Sequence, residues 1–123
     1  MKNKPVILVV DDQLQNIELL EAHLVPQGYE IVQASSGEEA LARIEAGFRP
    51  DVVILDMNMP GLGGIGTLPR LRALLPTVPV LLSTGRTDQA ALDLSQAHPF
   101  VTLLPKPFSM KEVRGRLASI KLG

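Results

Sequence analysis

The sequence of 123 residues contains no cysteine and no tryptophan, and it has one tyrosine and three phenylalanines. The absence of cysteine excludes a disulfide framework and thiolate chemistry, which is compatible with the reducing cytoplasm where we expect this protein. The scarcity of aromatic rings leaves few surfaces on which bases, flavins or sugars could stack. With a formal net charge of -1, the chain also lacks the basic surplus of nucleic-acid-binding domains. We therefore expect no direct contact with nucleic acid.

Long apolar runs are also absent. The basic first residues and the apolar run at 6–10 superficially resemble a signal peptide. That run is too short for a signal sequence, because Asp11 and Asp12 end it at once. No other stretch reaches the length that crosses a bilayer, so we expect no membrane insertion.

What the chain does contain is aliphatic: 46% of its residues are apolar, although only 3% are aromatic. A chain of this length can bury a core of Val, Ile, Leu and Ala without disulfides or a structural metal. It also matches the usual size of one domain, so we predict a single domain over residues 1–123. Because the chain stops after the last predicted helix, we expect it to hold no output domain.

Apolar runs alternate with segments of helical periodicity along the whole chain. Runs without polar alternation, such as residues 6–10, are typical of strands buried on both faces. The predicted strands are residues 6–10, 30–34, 51–56, 78–84 and 100–104. The predicted helices begin near Leu14, Ser36, Leu68, Thr87 and Ser109. Two of these starts carry capping boxes, Ser36 with Glu39 and Ser109 with Glu112.

The third helix is predicted to begin late. Pro69 costs about 3 kcal/mol inside a helix but is tolerated in the first turn. We therefore expect an irregular first turn near Leu68, after a loop made flexible by its glycines. We interpret three nearby basic residues, Arg70, Arg72 and Arg86, as solvated, although Arg86 would lie at the rim of the site described below.

Strict alternation of strands and helices predicts an α/β fold with a parallel sheet. Right-handed crossovers with helices on both faces make such a sheet doubly wound. Five strands favour the flavodoxin-like order 2-1-3-4-5, in which strands 1 and 3 are neighbours. Ligands in such folds bind at the carboxyl ends of the strands beside that point.

Polar residues follow four of the predicted strands at this edge. Asp11 and Asp12 follow strand 1, Asp56 ends strand 3, Thr84 ends strand 4 and Lys106 follows strand 5. Three neighbouring carboxylates repel one another, and their hard oxygen ligands suit magnesium or calcium. A carboxylate can attack phosphorus, and a lysine can neutralise phosphate oxygens. Taken alone, Asp12 with Gln15 could instead be a helix cap.

Four segments at these strand ends resemble the receiver domain of two-component response regulators. They are Val9-Val10-Asp11-Asp12, Leu55-Asp56-Met57-Asn58-Met59-Pro60-Gly61, Leu82-Ser83-Thr84-Gly85 and Leu104-Pro105-Lys106-Pro107-Phe108. The resemblance covers essentially the whole chain. It implies that Asp56 is the phosphoacceptor, that Asp12 binds magnesium directly and that Asp11 binds it through water. It also implies that the backbone carbonyl of Asn58 is a metal ligand.

The resemblance further implies that Thr84 and Lys106 contact the phosphoryl group, and that the donor is a histidine kinase or a histidine phosphotransfer protein. Such a domain is a switch rather than an enzyme. Phosphorylation would change a face formed by the fourth helix, the fifth strand and the last helix, through which the domain could form a homodimer. We expect four residues to pack around that face: Leu94, Leu103, Val113 and Leu117.

Two features depart from the family's pattern. Leu103 occupies a position that usually holds Tyr or Phe, and Gly63 replaces a more typical Asp. Leucine can pack but has no hydroxyl, so the route from Thr84 to the outer face would be built differently. We also predict a cis peptide between Lys106 and Pro107, which would aim the lysine inward.

Two alternatives remain open at this point. One is a docking adaptor with a receiver fold and no phosphorylation, which Leu103 keeps open. The other is an aspartate-nucleophile phosphatase of the haloacid dehalogenase type. Those enzymes carry Asp two residues after the nucleophile, where this chain has Asn58, and their acid pair follows the nucleophile rather than preceding it. A flavodoxin-like cofactor carrier is disfavoured because the turn after strand 1 is acidic.

His23 and His98 are interpreted as surface residues.

Overall fold

The structure is a computed structural model, and it describes residues 4–59, 61–85, 89–106 and 109–120. The described residues form a five-stranded parallel sheet in the order β2-β1-β3-β4-β5. Its strands are β1 (Val6–Val10), β2 (Glu30–Ala34), β3 (Val52–Asp56), β4 (Val80–Thr84) and β5 (Val101–Pro105). The helices are α1 (Leu14–Leu24), α2 (Gly37–Glu45), α3 (Gly63–Leu74), α4 (Gln89–Ala97) and α5 (Met110–Ser119). The predicted fold class and strand order are confirmed.

Each face of the sheet buries its own apolar cluster, because successive side chains of a strand point to opposite faces. One cluster joins Leu8, Val53 and Leu82 to residues of α2, α3 and α4. The other joins Ile7 and Ile54 to residues of α1 and α5. The sheet is therefore covered on both faces. Polar groups can collect where the strands begin, the amino edge of the sheet, and where they end, the carboxyl edge. No helix in the described part of the chain is long and apolar enough to cross a membrane.

The two predicted capping boxes differ in the structure. Ser109 and Glu112 form the full reciprocal pair at the start of α5. At α2, the hydroxyl of Ser36 accepts a hydrogen bond from the backbone N–H of Glu39 at 3.0 Å. The Glu39 carboxylate, however, accepts from the backbone and the hydroxyl of Ser35, both at 2.9 Å. The predicted start of α2 is thus confirmed. The hydrogen bond that a capping box would form from Glu39 back to Ser36 is instead formed with Ser35.

The prediction that α3 begins near Leu68 is wrong. The helix begins at Gly63, and Pro69 lies inside it on the exposed side. Gly64 packs directly on the loop after β3: its N–H donates to the Met57 carbonyl at 3.0 Å, and a Cβ there would lie 2.9 Å from the Met57 Cα. The glycines therefore allow a close helix-to-loop contact, and this packing outweighs the unfavourable proline.

Three predicted strands have different bounds in the structure: β4 begins at Val80 rather than at residue 78, and the changes in β3 and β5 involve local contacts. Phe100, predicted to open the last strand, has φ +60° and is 57% exposed, and β5 instead runs to Pro105. Asp51, predicted in the third strand, precedes β3, and its carboxylate accepts a hydrogen bond from the backbone N–H of Val6 at 2.7 Å. That contact ties the starts of β1 and β3 together.

The interpretation of Arg72 as a solvated residue is wrong. Its side chain is buried, and burial lowers the pKa of its guanidinium. Nη1 donates to the carbonyls of Leu75 and Val78 at 2.7 and 2.8 Å, and Nη2 donates to the Phe100 carbonyl at 3.5 Å. Arg72 therefore joins the end of α3 to the segments that precede β4 and β5. Arg70 is exposed, as predicted.

The expected grouping of four leucine and valine residues around one switching face is also wrong. Leu94 and Leu103 pack on the cluster shared with α2, α3 and α4. Val113 and Leu117 are buried in the cluster on the opposite side of the sheet. Alternation along the strands separates the two pairs, so only Leu94 and Leu103 lie between α4 and β5.

Candidate functional site

Three carboxylates meet at the carboxyl edge of the sheet. Asp11 and Asp12 follow β1, and Asp56 is the last residue of β3, the strand beside it. One carboxylate oxygen from each residue lies within 4.8 Å of the other two. Asp11 and Asp56 are buried, whereas Asp12 is exposed and closes the cluster on the solvent side. The structure thus brings together the three acids that the sequence placed at this edge.

Asp11 is held in place by hydrogen bonds from the turn that follows it. Its carboxylate accepts from the backbone N–H of Gln13 at 2.9 Å and from the Asn16 side-chain amide at 3.2 Å. Burial raises the pKa of Asp11, and the charge of Asp56 raises it further, while these hydrogen bonds act in the opposite direction. Helix α1 has Gln13 as its N-cap without a side-chain cap, so the reading of Asp12 as a capping residue is wrong.

Asp56 already has a cationic partner. Its Oδ1 accepts from the Nζ of Lys106 at 2.9 Å and from the backbone N–H of Asn58 at 3.1 Å. The Asp56 side chain is only 5% exposed, against 30% for Lys106, so the lysine reaches inward from a half-exposed position. The backbone N–H of Lys106 donates to the Thr84 carbonyl at 2.6 Å, which fixes where the lysine chain leaves β5.

Two hydroxyls end β4 beside Asp56. Thr84 is buried, and its hydroxyl donates to the carbonyl of Gly85 at 3.1 Å. Ser83 is the lateral neighbour of Asp56 in the pairing of β3 with β4. Sequence reasoning gave Ser83 no role, although a polar residue inside the otherwise apolar strand 80–83 was a signal for one.

The donor set at this edge fits a hard divalent cation. It offers the carboxylates of Asp11, Asp12 and Asp56, and this cluster contains no His or Cys. The pKa of Asp11 is raised mainly by burial and further by the charge of Asp56, so a cation bound beside both groups would be favourable. Oxygen-only sites of this kind suit magnesium, which keeps several waters and bridges carboxylates to phosphate. The cluster could therefore hold a metal ion.

Several predictions fall on other parts of the chain. Arg86 and the peptide bond between Lys106 and Pro107 lie outside the described residues, so both predictions about them stay predictions. His23 is exposed, as interpreted, and its Nδ1 lies 3.0 Å from the Leu19 carbonyl. His98 is half-buried. Leu103 is half-buried against the cluster under α4, where the family more often has an aromatic ring.

Comparison with known proteins agrees with this geometry. The family model of the response regulator receiver domain matches residues 7–118. The chain is 42% identical over 116 residues to the transcriptional regulatory protein KdpE of Mycobacterium tuberculosis, covering 91% of this chain and 49% of that protein. It is 36% identical over 114 residues to the alkaline phosphatase synthesis transcriptional regulatory protein PhoP of Bacillus subtilis, covering 93% and 47%.

Solved structures show the same fold. The chemotaxis protein CheY4 of Vibrio cholerae superposes with a TM-score of 0.84 at 28% identity, covering 96% of this chain and 99% of that one. A response regulator receiver domain protein from Clostridium thermocellum gives 0.85 at 29% identity, covering 94% and 92%.

The chain therefore belongs to the response regulator receiver domain family, the signalling switches of two-component systems. It spans about half the length of the curated relatives it matches. No feature of the described residues favours the docking-adaptor or phosphatase alternative.

Proposed function

We propose that Asp56 accepts a phosphoryl group from a phosphohistidine of a histidine kinase or a histidine phosphotransfer protein. The observation that carries the proposal is the 2.9 Å contact between Lys106 Nζ and Asp56 Oδ1, made beside two further acids at the switch point of the sheet. A carboxylate held by one cation and surrounded by metal-binding oxygens is equipped to become an acyl phosphate.

In the transfer, a carboxylate oxygen of Asp56 attacks the donor's phosphorus, and the bond from phosphorus to the histidine nitrogen breaks. The imidazole leaves and takes up a proton, and Asp56 becomes an aspartyl phosphate. Phosphoryl transfer depends mainly on positioning and on neutralising charge. Lys106 supplies one positive charge, and the Asn58 N–H orients the nucleophile.

Magnesium, held by Asp11, Asp12, Asp56 and the Asn58 carbonyl, would neutralise charge on the phosphoryl oxygens. Asp11 is fixed by two hydrogen bonds and Asp12 stays exposed, so the pair can present one anchored and one mobile oxygen ligand.

Phosphorylation adds charge and three acceptor oxygens at this edge. Thr84 and Lys106 would then turn toward the phosphoryl group. Because Lys106 N–H is bonded to the Thr84 carbonyl, the ends of β4 and β5 would respond together. The response reaches α4 through Leu103, which packs beneath it, and shifts the population of a surface formed by α4, β5 and α5. That surface would bind a partner or a second copy of the chain. We propose that the domain acts in the cytoplasm as a switch, without turnover of an external substrate.

Intact-protein mass spectrometry after incubation with acetyl phosphate tests the proposal. The wild-type protein should gain the mass of one phosphoryl group in the presence of magnesium, and far more slowly without it. Asp56→Asn, which keeps the shape of the side chain, should gain none. A wild-type protein that neither gains the adduct nor binds magnesium would leave only a docking function for this fold.

A further inference from the structure

The hydroxyl of Ser83 is buried and lacks a hydrogen-bond partner among the residues that the structure describes. The residue is 3% exposed, and it lies one position before Thr84 at the end of β4. A buried hydroxyl without a partner loses its hydrogen bonds to water and gains nothing in return. Such groups are rare, and each calls for an explanation in function or strain.

The sheet places Ser83 between the phosphoacceptor and its lysine. In the strand pairing, Ser83 lies opposite Asp56 on one side and opposite Leu104 on the other. The Ser83 carbonyl accepts a hydrogen bond from the Met57 N–H at 2.8 Å, directly after Asp56. The ion pair from Lys106, beyond β5, to Asp56, on β3, therefore spans the end of β4, where Ser83 lies.

The side chains also share a face of the sheet. Ile54, Leu81 and Leu104 belong to the same apolar cluster, on the side covered by α1 and α5. Because strand side chains alternate with a period of two, Asp56 and Ser83 project to that same side. Lys106, two residues after Leu104, continues the same row. The register and the alternation thus place Ser83 next to Asp56 on the same face of the sheet.

In the resting protein the Asp56 Oδ1 already accepts two hydrogen bonds, from Lys106 and Asn58, and neither comes from Ser83. Phosphorylation changes this set of acceptors. One carboxyl oxygen becomes the link to phosphorus, the other becomes a carbonyl, and three phosphoryl oxygens are added. Lys106 would turn to the phosphoryl oxygens, and the three added oxygens are acceptors that the resting carboxylate does not provide for a neighbouring donor.

From this geometry we infer that Ser83 is a second hydroxyl sensor of the site, which donates a hydrogen bond to phosphorylated Asp56 and lacks that partner in the resting state. The inference rests on the proposed phosphorylation of Asp56. The inference predicts that the hydroxyl has opposite effects on the stability of the two states, which burial alone would not cause. The hydroxyl is unfavourable in the resting protein and favourable in the phosphorylated one, so Ser83 shifts the equilibrium toward the phosphorylated state.

The test compares Ser83→Ala with the wild type in two states, resting and bound to magnesium with beryllofluoride, a mimic of the phosphoryl group. Thermal unfolding and the affinity for beryllofluoride are measured for both proteins. Ser83→Ala should unfold at the same or a higher temperature than the wild type when resting. Its affinity for beryllofluoride should be roughly three- to tenfold weaker, the scale of one lost neutral hydrogen bond, and its gain in unfolding temperature should be smaller.

Thr67→Ala is the matched control. Thr67 also has a buried hydroxyl without a partner in the described residues, but it lies on α3 against Gly37 of α2. This substitution should change the unfolding temperature equally in both states and leave the beryllofluoride affinity unchanged.

Each further outcome identifies what has failed. If the wild type responds to beryllofluoride and Ser83→Ala responds equally, the inference about Ser83 is wrong and the proposed function stands. If Ser83→Ala is less stable at rest by as much as it is when bound, Ser83 has a packing role only, and the inference is again wrong. If the wild type shows no response with magnesium present, the proposed function fails and the inference falls with it.

Discussion

The two edges of the sheet differ in how their polar side chains are paired. At the amino edge, Asp51 accepts a hydrogen bond from Val6 at 2.7 Å, and the Arg72 guanidinium donates to three backbone carbonyls. At the carboxyl edge, three acids share one lysine, and the Ser83 hydroxyl has no partner in the described part of the chain.

Within one sheet, the amino edge therefore contributes mainly to stability, and the carboxyl edge contributes mainly to the proposed function. At the amino edge, Asp51 and both terminal nitrogens of Arg72 are paired with backbone groups, which stabilises the resting fold, although the Arg72 Nε has no partner among the described residues. In the proposed function, groups at the carboxyl edge are arranged for a cation and a phosphoryl group, and the unpaired ones cost stability until those partners bind. Removing the charge of Asp11 at the carboxyl edge should therefore raise the free energy of unfolding, whereas substitutions at the amino edge should lower it.

The largest effect is expected from Arg72→Met. The substitution keeps most of the apolar stem but leaves the carbonyls of Leu75 and Val78 without their donor. We expect the free energy of unfolding to fall by about 2–4 kcal/mol, because each buried group left unpaired costs about 1–3 kcal/mol. Urea unfolding measures this change.

Lys106→Met is the comparison at the other edge. The lysine is 30% exposed and screened by solvent, whereas Asp56 is buried and would lose its cation, so we expect a fall in the free energy of unfolding that is smaller than for Arg72→Met. The variant should nevertheless lose most of its response to magnesium with beryllofluoride. Equal destabilisation by both substitutions would contradict the division between the edges.

A smaller loss is expected from Asp51→Ala. The substitution removes the acceptor of the Val6 N–H, which joins the starts of β1 and β3. We expect the free energy of unfolding to fall by about 1–2 kcal/mol. Asp51→Asn keeps an acceptor oxygen and should lose less than half as much. Phosphorylation by acetyl phosphate should be unchanged in both variants, since the site lies at the opposite end of the strands.

The smallest effect, and the one with the opposite sign, is expected from Asp11→Asn. Burial and the neighbouring charge of Asp56 raise the pKa of Asp11, so its charge is unfavourable in the metal-free fold. Removing that charge should raise the free energy of unfolding at neutral pH by less than about 1 kcal/mol. Magnesium should stabilise the wild type and leave the variant nearly unaffected, which thermal unfolding with and without the ion would show.

The pH dependence of this difference follows from the same pKa shift. A carboxyl group whose pKa is higher in the folded than in the unfolded protein takes up a proton on folding. Its charge lowers stability above the folded pKa, and this penalty disappears as the pH falls through that value toward the unfolded pKa. The advantage of Asp11→Asn in metal-free buffer should therefore shrink on acidification. An advantage that grows on acidification would show that the sign of the pKa shift is wrong.

The fold and the placement of the acids follow from local sequence signals. Buried strands such as Val6–Val10 can be predicted because they are apolar runs. Their alternation with helices predicts that Asp11, Asp12 and Asp56 lie at one edge of the sheet. The start of α3 could not be predicted this way, because the favourable contact of Gly64 with Met57 is tertiary, while the unfavourable Pro69 is visible locally.

Side-chain partners that come from distant segments could not be predicted from the sequence either. Arg72 is an ordinary polar residue in sequence, and its burial depends on the backbone carbonyls of three other residues, one of which lies in the segment before β5. Ser83 shows its importance only when its neighbours on β3 and β5 are known. Sequence patterns thus reveal which residues share an edge, but not which of them are left without a partner.

The most direct test of the account is to locate the phosphoryl group on the chain. After reaction with acetyl phosphate and magnesium, peptide mass spectrometry of the wild-type protein should place a single phosphoryl group on Asp56. Asp11 and Asp12 should stay unmodified, because the proposal assigns them to the cation. A phosphoryl group on Asp11 or Asp12, or an Asp56→Asn variant that is still modified, would contradict the assignment of Asp56 as the acceptor.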